Sequence, residues 1–553
     1  MSHSTAKVPG NSGLSRLLLP LRTVSAITLV SRVLGLLRDI STAAIFGMGN
    51  VMDAFALAFR IPNLSRRLLG EGALSAAFLP VFIDRRQHHG TEASWHLASA
   101  VLSLLTLLLC GLVILGLTLC GLLYQLNVND PHLSFLVTLT SLLLPFMIFI
   151  CLSAQIAAML NALGHFALPA LSPVLINVGW LITLWGIAPW ISTSLKTQCM
   201  VMSCGIVFSA FIQLGFQTLF LWRYGFRFQS PWRADRLALT TIFNSLVPML
   251  LGLSIVQING FLDSLIAWLL AQPEGQPLHF HVLGYAIAYP MIPGSVSSLY
   301  FAERVYQFPV GVFGVAVGTV IYPLLSRHAS ERNTTALVED LIAGLRLVLI
   351  IGIPASAGLV VLAKPIAALL FQHGQFSVQD TIRAAFTLQA YAVGISAYCC
   401  MPVLVRAFYA TGNHSTPVQI GLAVVLLNLV LNLLLVWPMG EAGLALGTAL
   451  TATLQAILLG ICLVRSKKNA PWKSLGNSTI RAIFATVIMT VVIFLTDWLC
   501  QSSAVLQFRL IQVLLPLTAG MGSYFLIGHF LGFNEFFAPF FQYRQHKTRP
   551  DTP

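Results

Sequence analysis

The residues of this sequence that could do chemistry are arginines placed where arginine is costly. Ser31-Arg32-Val33-Leu34-Gly35-Leu36-Leu37-Arg38-Asp39 lies in one apolar run, and the next carries Asp53, Arg60, Arg66, Arg67 and Glu71. Arg304 follows Glu303 in a later run. A charge at the bilayer centre costs about 2.5–3.5 kcal/mol on insertion scales, so such groups must face protein or a water-filled cavity. Six cations, Arg32, Arg38, Arg60, Arg66, Arg67 and Arg304, stand against the four acids Asp39, Asp53, Glu71 and Glu303. Local pairing, of Arg38 with Asp39 or Asp53 and of Arg67 with Glu71 at i+4, neutralises part of that set. The remaining positive charge calls for an anionic substrate. The planar fork of arginine holds two phosphate oxygens at once, which fits a pyrophosphate-bearing lipid.

Helix geometry refines this. Asp53, Arg60 and Arg67 are seven apart and fall within about 40° of one another, a register that Pro62 disturbs. Arg32 and Arg38 are about 120° apart and about 9 Å along the axis, so they do not share one narrow stripe. Gly35 between them permits bending or close helix approach. A second constellation is Asp263, an isolated acid midway through an apolar run, with Asn428 and Asn432 on one helix face and Thr448 in the following run. One carboxylate with amide and hydroxyl oxygens suits a hard cation such as sodium. The same residues also fit interhelical hydrogen bonding, with Asp263 protonated or paired to an arginine. Enzyme chemistry is poorly represented. The thirteen histidines lie mainly in loops or at span ends, and the sequence has no HExxH, P-loop or paired-carboxylate motif. A transporter is expected, without a cofactor other than sodium.

The elements that must position these residues are membrane spans. Of 553 residues, 57% are hydrophobic and 9% charged, against about 25% charged in soluble domains. Many apolar runs reach the roughly 20 residues that cross the hydrocarbon core. Fourteen spans are expected, at about 23–47, 51–82, 95–124, 133–160, 167–190, 199–222, 241–271, 292–326, 340–370, 381–410, 416–437, 442–464, 477–499 and 507–531. The stretch 272–291 is an insertion whose apolar piece, Val282–Tyr289, is too short to span. Lys7, Arg16 and Arg22 precede an apolar stretch as in a signal peptide, but Arg32 and Arg38 interrupt it, so it reads as a retained first helix. The nine cysteines lie in or beside apolar runs without a CxxC and read as small apolar residues.

With the N-terminus in the cytoplasm, eighteen Lys and Arg fall in cytoplasmic segments and only Lys196 and Arg509 on the other side. Both termini are then cytoplasmic. The net charge of +13 faces an anionic leaflet and needs no nucleic-acid partner. An internal repeat is also legible. Pro169 and Pro417, each before a span, are 248 apart, and Pro80 and Pro323, each before a basic loop, are 243 apart. The expected all-α organisation is a cytoplasmic segment 1–22, a six-helix half 23–222, a basic loop 223–240, a second half 241–464, a basic loop 465–476, two further helices 477–531 and a tail 532–553. Parallel repeats of this kind are a transporter architecture with the substrate site between the halves.

Ser31-Arg32-Val33-Leu34-Gly35 with Arg38-Asp39, Asp53-Ala54-Phe55, Pro62-Asn63-Leu64 with Arg66-Arg67, and Glu71-Gly72-Ala73 resemble the MurJ (MviN) lipid II flippase family. In the second half Glu303-Arg304, Phe308-Pro309, Gly311-Val312, Gly314-Val315-Ala316, Gly318-Thr319, Leu370-Phe371-Gln372-His373-Gly374 and Thr416-Pro417 agree. The resemblance covers about residues 22–535; the insertion 272–291 departs from it. It implies the fold of the multidrug/oligosaccharidyl-lipid/polysaccharide exporters. It implies translocation of lipid II, the undecaprenyl-pyrophosphate-linked peptidoglycan precursor, across the bacterial inner membrane by alternating access, in service of cell-wall biogenesis and cell shape. Carried over by position, Arg32, Arg38, Arg60 (a position that takes lysine in relatives) and Arg304 would bind substrate, with Asp53 near the gate. Ser31, Asp39, Arg66, Arg67, Glu71 and Glu303 would be secondary cavity or structural residues. The last two helices would form a lipid-tail groove. Some relatives are similar in a sodium site on the helices of Asp263, Asn428 and Thr448, with an acid where Asn432 stands. The expected partners are lipid II or a similar polyprenyl-pyrophosphate lipid and membrane lipids, with the protein a monomer. Alternatives are an exporter of another polyprenyl-linked glycan and a non-transporting scaffold for cell-wall synthesis. A drug antiporter would want an acidic cavity.

Overall fold

The computed structural model describes residues 12–70, 72–126, 130–230, 235–275, 277–282, 285–466, 472–502 and 508–533. The first ten helices are α1 (Ser12–Phe46), α2 (Asn50–Ser65), α3 (Ala73–His88), α4 (Gly90–Leu126), α5 (Pro131–Leu143), α6 (Phe146–Ala162), α7 (Ala167–Ile182), α8 (Ala188–Ile191), α9 (Leu195–Arg223) and α10 (Arg236–Leu269). A hairpin, β1 (His279–Val282) with β2 (Tyr285–Ala288), follows. Then come α11 (Ser295–Pro309), α12 (Ala316–Ser330), α13 (Thr334–Phe371), α14 (Val378–Ala392), α15 (Ile395–Ala410), α16 (Ser415–Met439), α17 (Glu441–Ser466), α18 (Trp472–Ser502) and α19 (Arg509–Phe530).

Each of the fourteen predicted segments is helical, whole or in pieces. By length and mean hydropathy, ten described helices can cross a membrane, or eleven if the bent pair α14–α15 is one span. The count of fourteen is not reached by this measure. In α1 the charges Arg32, Arg38 and Asp39 interrupt the apolar run. The second segment is divided into α2, a π-helical stretch Arg66–Gly70 and α3. Pro62 sits inside α2, which runs through it unbroken, and the departure from α geometry begins at Arg66. Further π-helical stretches, Thr183–Ile187 and Val310–Val315, divide the fifth and eighth segments. Arg66 and Val310 are 244 positions apart, close to the 243-residue offset of the sequence repeat.

Helix ends follow ordinary capping chemistry. Asp130 accepts from the backbone N–H of His132 at 2.9 Å, with Pro131 at the first helical position of α5. Ser377 and Asp380 form a reciprocal capping box at α14. Within the apolar runs, hydroxyls such as Thr106 and Thr118 bond the carbonyl four residues back, which satisfies them where lipid offers no partner.

The chain forms two compact units. The first comprises the chain up to Phe46 and Asn50–Gln257; in it α1 packs on α7, α2 on α5, and α9 on α6 and α7. The second comprises the turn Gly47–Gly49 and the chain from Ile258. There α13 is central, packed by α14, α15 and α18, with α16 on α17 and α18 on α19.

Candidate functional site

In the first unit Arg38 is held in a cradle. Its Nε and Nη2 both donate to Asp39 Oδ1, at 2.9 and 2.7 Å, and Nη1 donates to Asn177 Oδ1 at 2.9 Å. Its guanidinium carbon lies 4.7 Å from the ring centroid of Trp180. That fully buried indole meets Phe55 and Phe59 edge-on, with centroids 5.5 and 5.3 Å away. Asn177 in turn donates Nδ2 to the Ser31 carbonyl at 3.2 Å, tying α7 to α1. The pairing left open in the sequence therefore goes to Asp39, and Ser31 contributes its backbone oxygen. Arginine has five N–H donors. These contacts use three, and the other two, one on each terminal nitrogen, have no protein partner among the described residues. The side chain is 16% exposed, so a cation stacked on an arene retains capacity for two further acceptor oxygens.

Arg32, expected to bind substrate, is exposed. Asp53 is buried, whereas Arg60 and Arg66 are half-buried. Arg66 Nε donates to Asn63 Oδ1 at 3.3 Å, and Arg67 Nη1 to Gln257 Oε1 at 3.2 Å. The expected Arg67–Glu71 pair falls on Glu71, which lies outside the described residues. The π-helical stretch that carries Arg66 and Arg67 is gripped from α6. Gln155, fully buried, donates Nε2 to the carbonyls of Leu69 and Gly70 at 3.1 and 2.8 Å.

In the second unit Arg304 also stacks on an arene, its guanidinium carbon 4.6 Å from the Tyr300 ring centroid. Glu303 accepts from Gln307 Nε2 at 2.6 Å. Other intramembrane arginines of this unit have protein partners: Arg346 bonds Ser474 Oγ, Arg406 bonds Thr319 Oγ1 at 3.0 Å, and Arg481 bonds the Leu531 carbonyl at 3.1 Å.

The four residues proposed for a cation meet in this unit. Asp263, buried, accepts from Asn432 Nδ2 at 2.6 Å and from Thr448 Oγ1 at 2.7 Å. Asn432 Nδ2 also donates to Asn428 Oδ1 at 2.9 Å, and Asn428 Nδ2 reaches Thr448 and Thr451 hydroxyls at 3.2 Å each. The Asn432 Oδ1 atom is buried without a partner and faces Gly447, where a Cβ would stand 2.4 Å from it. Carboxylate, amide and hydroxyl oxygens are the ligand types of a monovalent hard cation, and here Asn432 presents Nδ2, not Oδ1, to Asp263. The set does not fit a zinc-type centre: among the described residues no three His, Cys, Asp or Glu side chains cluster.

The family model described as "Lipid II flippase MurJ" matches residues 42–515. This chain belongs to the MurJ family. It is 33% identical over 448 residues to a "Probable lipid II flippase MurJ" of Vibrio cholerae, covering 79% of this chain and 81% of that one. It is 30% identical over 446 residues to a "Lipid II flippase MurJ" of Burkholderia cenocepacia, covering 79% and 82%. The solved structure "Lipid II flippase MurJ, inward closed conformation" shares its fold with a TM-score of 0.70 at 24% identity, covering 94% of this chain and 99% of that one. A multidrug MATE transporter of the MOP superfamily, inward-facing, aligns with a TM-score of 0.62 at 14% identity, covering 81% and 99%. As a MurJ-family member the protein is a multi-pass membrane transporter and not an enzyme.

The sequence reading missed Asn177, Trp180, Gln155, Gln257 and Thr451. Asn177, Gln155 and Gln257 carry the signal that found Asn428: an amide inside an apolar span. Trp180 carries none, since a tryptophan in such a run is equally at home against lipid.

Proposed function

We propose that this protein carries lipid II from the inner to the outer leaflet of the bacterial inner membrane, with Arg38 as its principal pyrophosphate contact. The observation that supports this reading is the Arg38 cradle: a fixed, arene-stacked guanidinium with two N–H groups to spare, in a chain of the MurJ family. Arg32 and Arg60 add positive charge for substrate in the same unit, Arg304 is the corresponding candidate in the second unit, and Asp53 acts near the gate. The basic loops face the cytoplasm, and the protein works as a monomer. Reconstituted into vesicles, the wild type accelerates flipping of fluorescent lipid II. Arg38→Ala loses two charge-assisted hydrogen bonds of about 1.5–3 kcal/mol each, so flipping falls on the order of 100-fold or more. Arg38→Lys recovers only part, because it lacks the fork. Equal flipping by Arg38→Ala and wild type at matched protein would sink the assignment. An unlabelled polyprenyl-linked glycan of another kind that competes better than lipid II would favour the related-exporter reading.

The Asp263 cluster supports a coupling role for sodium in the same cycle. A membrane potential supplies about 2.3 kcal/mol per charge per 100 mV, and sodium bound at Asp263 lets a gradient bias the cycle. Flipping in the wild type then responds to an imposed sodium gradient, and Asp263→Asn loses that response. A gradient-insensitive wild type removes sodium from the mechanism.

A further inference from the structure

The insertion 272–291 is a formed element with two chemically different faces. Its strands pair antiparallel, His279 with Ala288, Phe280 with Ile287, His281 with Ala286 and Val282 with Tyr285. Side chains alternate along a strand and cross-strand partners share a face. One face therefore holds Phe280, Tyr285 and Ile287, extended by Tyr289, whose ring centroid is 4.9 Å from that of Phe280. The other holds His279, His281, Ala286 and Ala288. The hairpin root is fastened. Gln272 N–H donates to the Met291 carbonyl at 2.9 Å and Tyr289 N–H to the Leu278 carbonyl at 3.1 Å. Arg383 of α14 holds the segment that leads from the hairpin into α11: it donates to Glu441 Oε1 at 2.9 Å, the Pro293 carbonyl at 2.8 Å and Ser295 Oγ at 3.2 Å. Gly294 at this point has φ +96°, and a Cβ there would stand 3.0 Å from Arg383 Nη1.

Two observations say what covers the aromatic face. From 275 to 302 the chain has no Asp, Glu, Lys or Arg, whereas a hairpin projecting into water carries charge as a rule. Tyr285 is 76% exposed, and the root residues Leu269 and Ile292 are 62% and 52% exposed. Exposed apolar side chains thus flank the hairpin on both sides, Leu269 at the end of α10 and Ile292 ahead of α11. Tyr285 and Tyr289 match the tyrosine of the aromatic belt at membrane interfaces. Open strand edges are tolerated there because water reaches them, as it does not in the hydrocarbon core.

We infer that the hairpin is an interfacial anchor: its Phe280–Tyr285–Ile287 face lies on the acyl boundary of the adjoining leaflet and its His279–His281 face points to water. The occupant is the phospholipid surface itself. The inference rests on the family reading only in placing the helix ends at the membrane surface. The test inserts one environment-sensitive fluorescent amino acid at 285 or at 281 of the full-length protein. The protein is reconstituted in phosphatidylethanolamine–phosphatidylglycerol vesicles, and quenching by aqueous iodide is compared with quenching by lipid bearing a nitroxide high on its acyl chain. Position 285 is expected to be quenched several-fold more by the lipid, and position 281 several-fold more by iodide. Equal iodide access at both positions overturns the anchor and leaves the hairpin as a face for a soluble partner; lipid quenching at both overturns the two-faced arrangement. Flipping measured on the same vesicles is a separate readout, so its loss with this quenching pattern intact counts against the transport reading alone.

Discussion

Replacing Asn177 with leucine tests whether the position of Arg38, and not merely its charge, matters. Leucine keeps the branched shape of asparagine, with bulkier methyl groups, in a buried site and removes two bonds: the acceptor 2.9 Å from Arg38 Nη1 and the donor 3.2 Å from the Ser31 carbonyl. A hydrogen bond to a charged group contributes about 1.5–3 kcal/mol, and one between neutral groups about 0.5–1.5 kcal/mol. Asp39 and Trp180 still hold the guanidinium from one side, so the cation stays in place but gains freedom to swing. If the lost restraint of about 1.5–3 kcal/mol appears in the transport step, flipping falls roughly 10- to 100-fold, since about 1.4 kcal/mol is a factor of ten. The assay is initial-rate flipping of fluorescent lipid II in proteoliposomes at matched reconstitution. Asn177→Asp is the companion variant. It keeps an acceptor for Nη1 but adds negative charge beside Arg38, so it loses flipping although the arginine is held more firmly. Flipping by Asn177→Leu within twofold of wild type would refute the claim that the cradle sets function.

Three further outcomes are expected. Gly447→Ala forces the Asn432 carboxamide aside, because the new methyl would meet Oδ1 at 2.4 Å; it should destabilise by about 1–3 kcal/mol and reduce any sodium-dependent rise in melting temperature, measured against choline at equal ionic strength. Gln155→Leu strips the donor from the Leu69 and Gly70 carbonyls. It should cost about 1–3 kcal/mol and slow flipping through the π-helical stretch bearing Arg66 and Arg67; unchanged melting and flipping would count against that role. Outside the spans, the Asp235 carboxyl is held below its ordinary range, first by the Leu237 backbone N–H and further by the Arg85 guanidinium. A depressed carboxylate stabilises above its unfolded pKa of about 3.9, and that stability is lost as pH falls through the folded value. Asp235→Asn should melt below wild type at pH 6, with the gap closing below about pH 4; a constant gap would contradict this.

Much of the fold was legible because lipid imposes a simple rule: apolar length sets the span, and an isolated polar side chain inside it needs a reason. Asp263, Asn428, Asn432 and Thr448 were found that way, and the structure brings all four into contact. The hairpin was half legible. Val282–Tyr289 was too short to span, but the alternation of His279, Phe280 and His281 with the later Tyr285, Ala286 and Ile287 is a period-two signal that was not used. Helix azimuth was not legible. Which face of α7 meets α1 depends on packing far apart in sequence, so Asn177 and Trp180 could not be assigned to Arg38 from spacing.

An arginine need not be free of acids to be available to substrate. Arg38 is paired with Asp39 and still retains two N–H groups, because a single carboxylate oxygen takes two of its donors. Pairing at that oxygen lowers the local net charge while fixing the guanidinium plane over Trp180. Neutrality and hydrogen-bonding capacity are separate quantities, and for a phosphate ligand the second decides whether a fork is open. A loose cation would have to lose side-chain entropy on binding, up to about 2 kcal/mol for arginine, which this arrangement has already forgone. The acid beside Arg38 thus prepares the site for the anion at the cost of part of the Coulomb attraction.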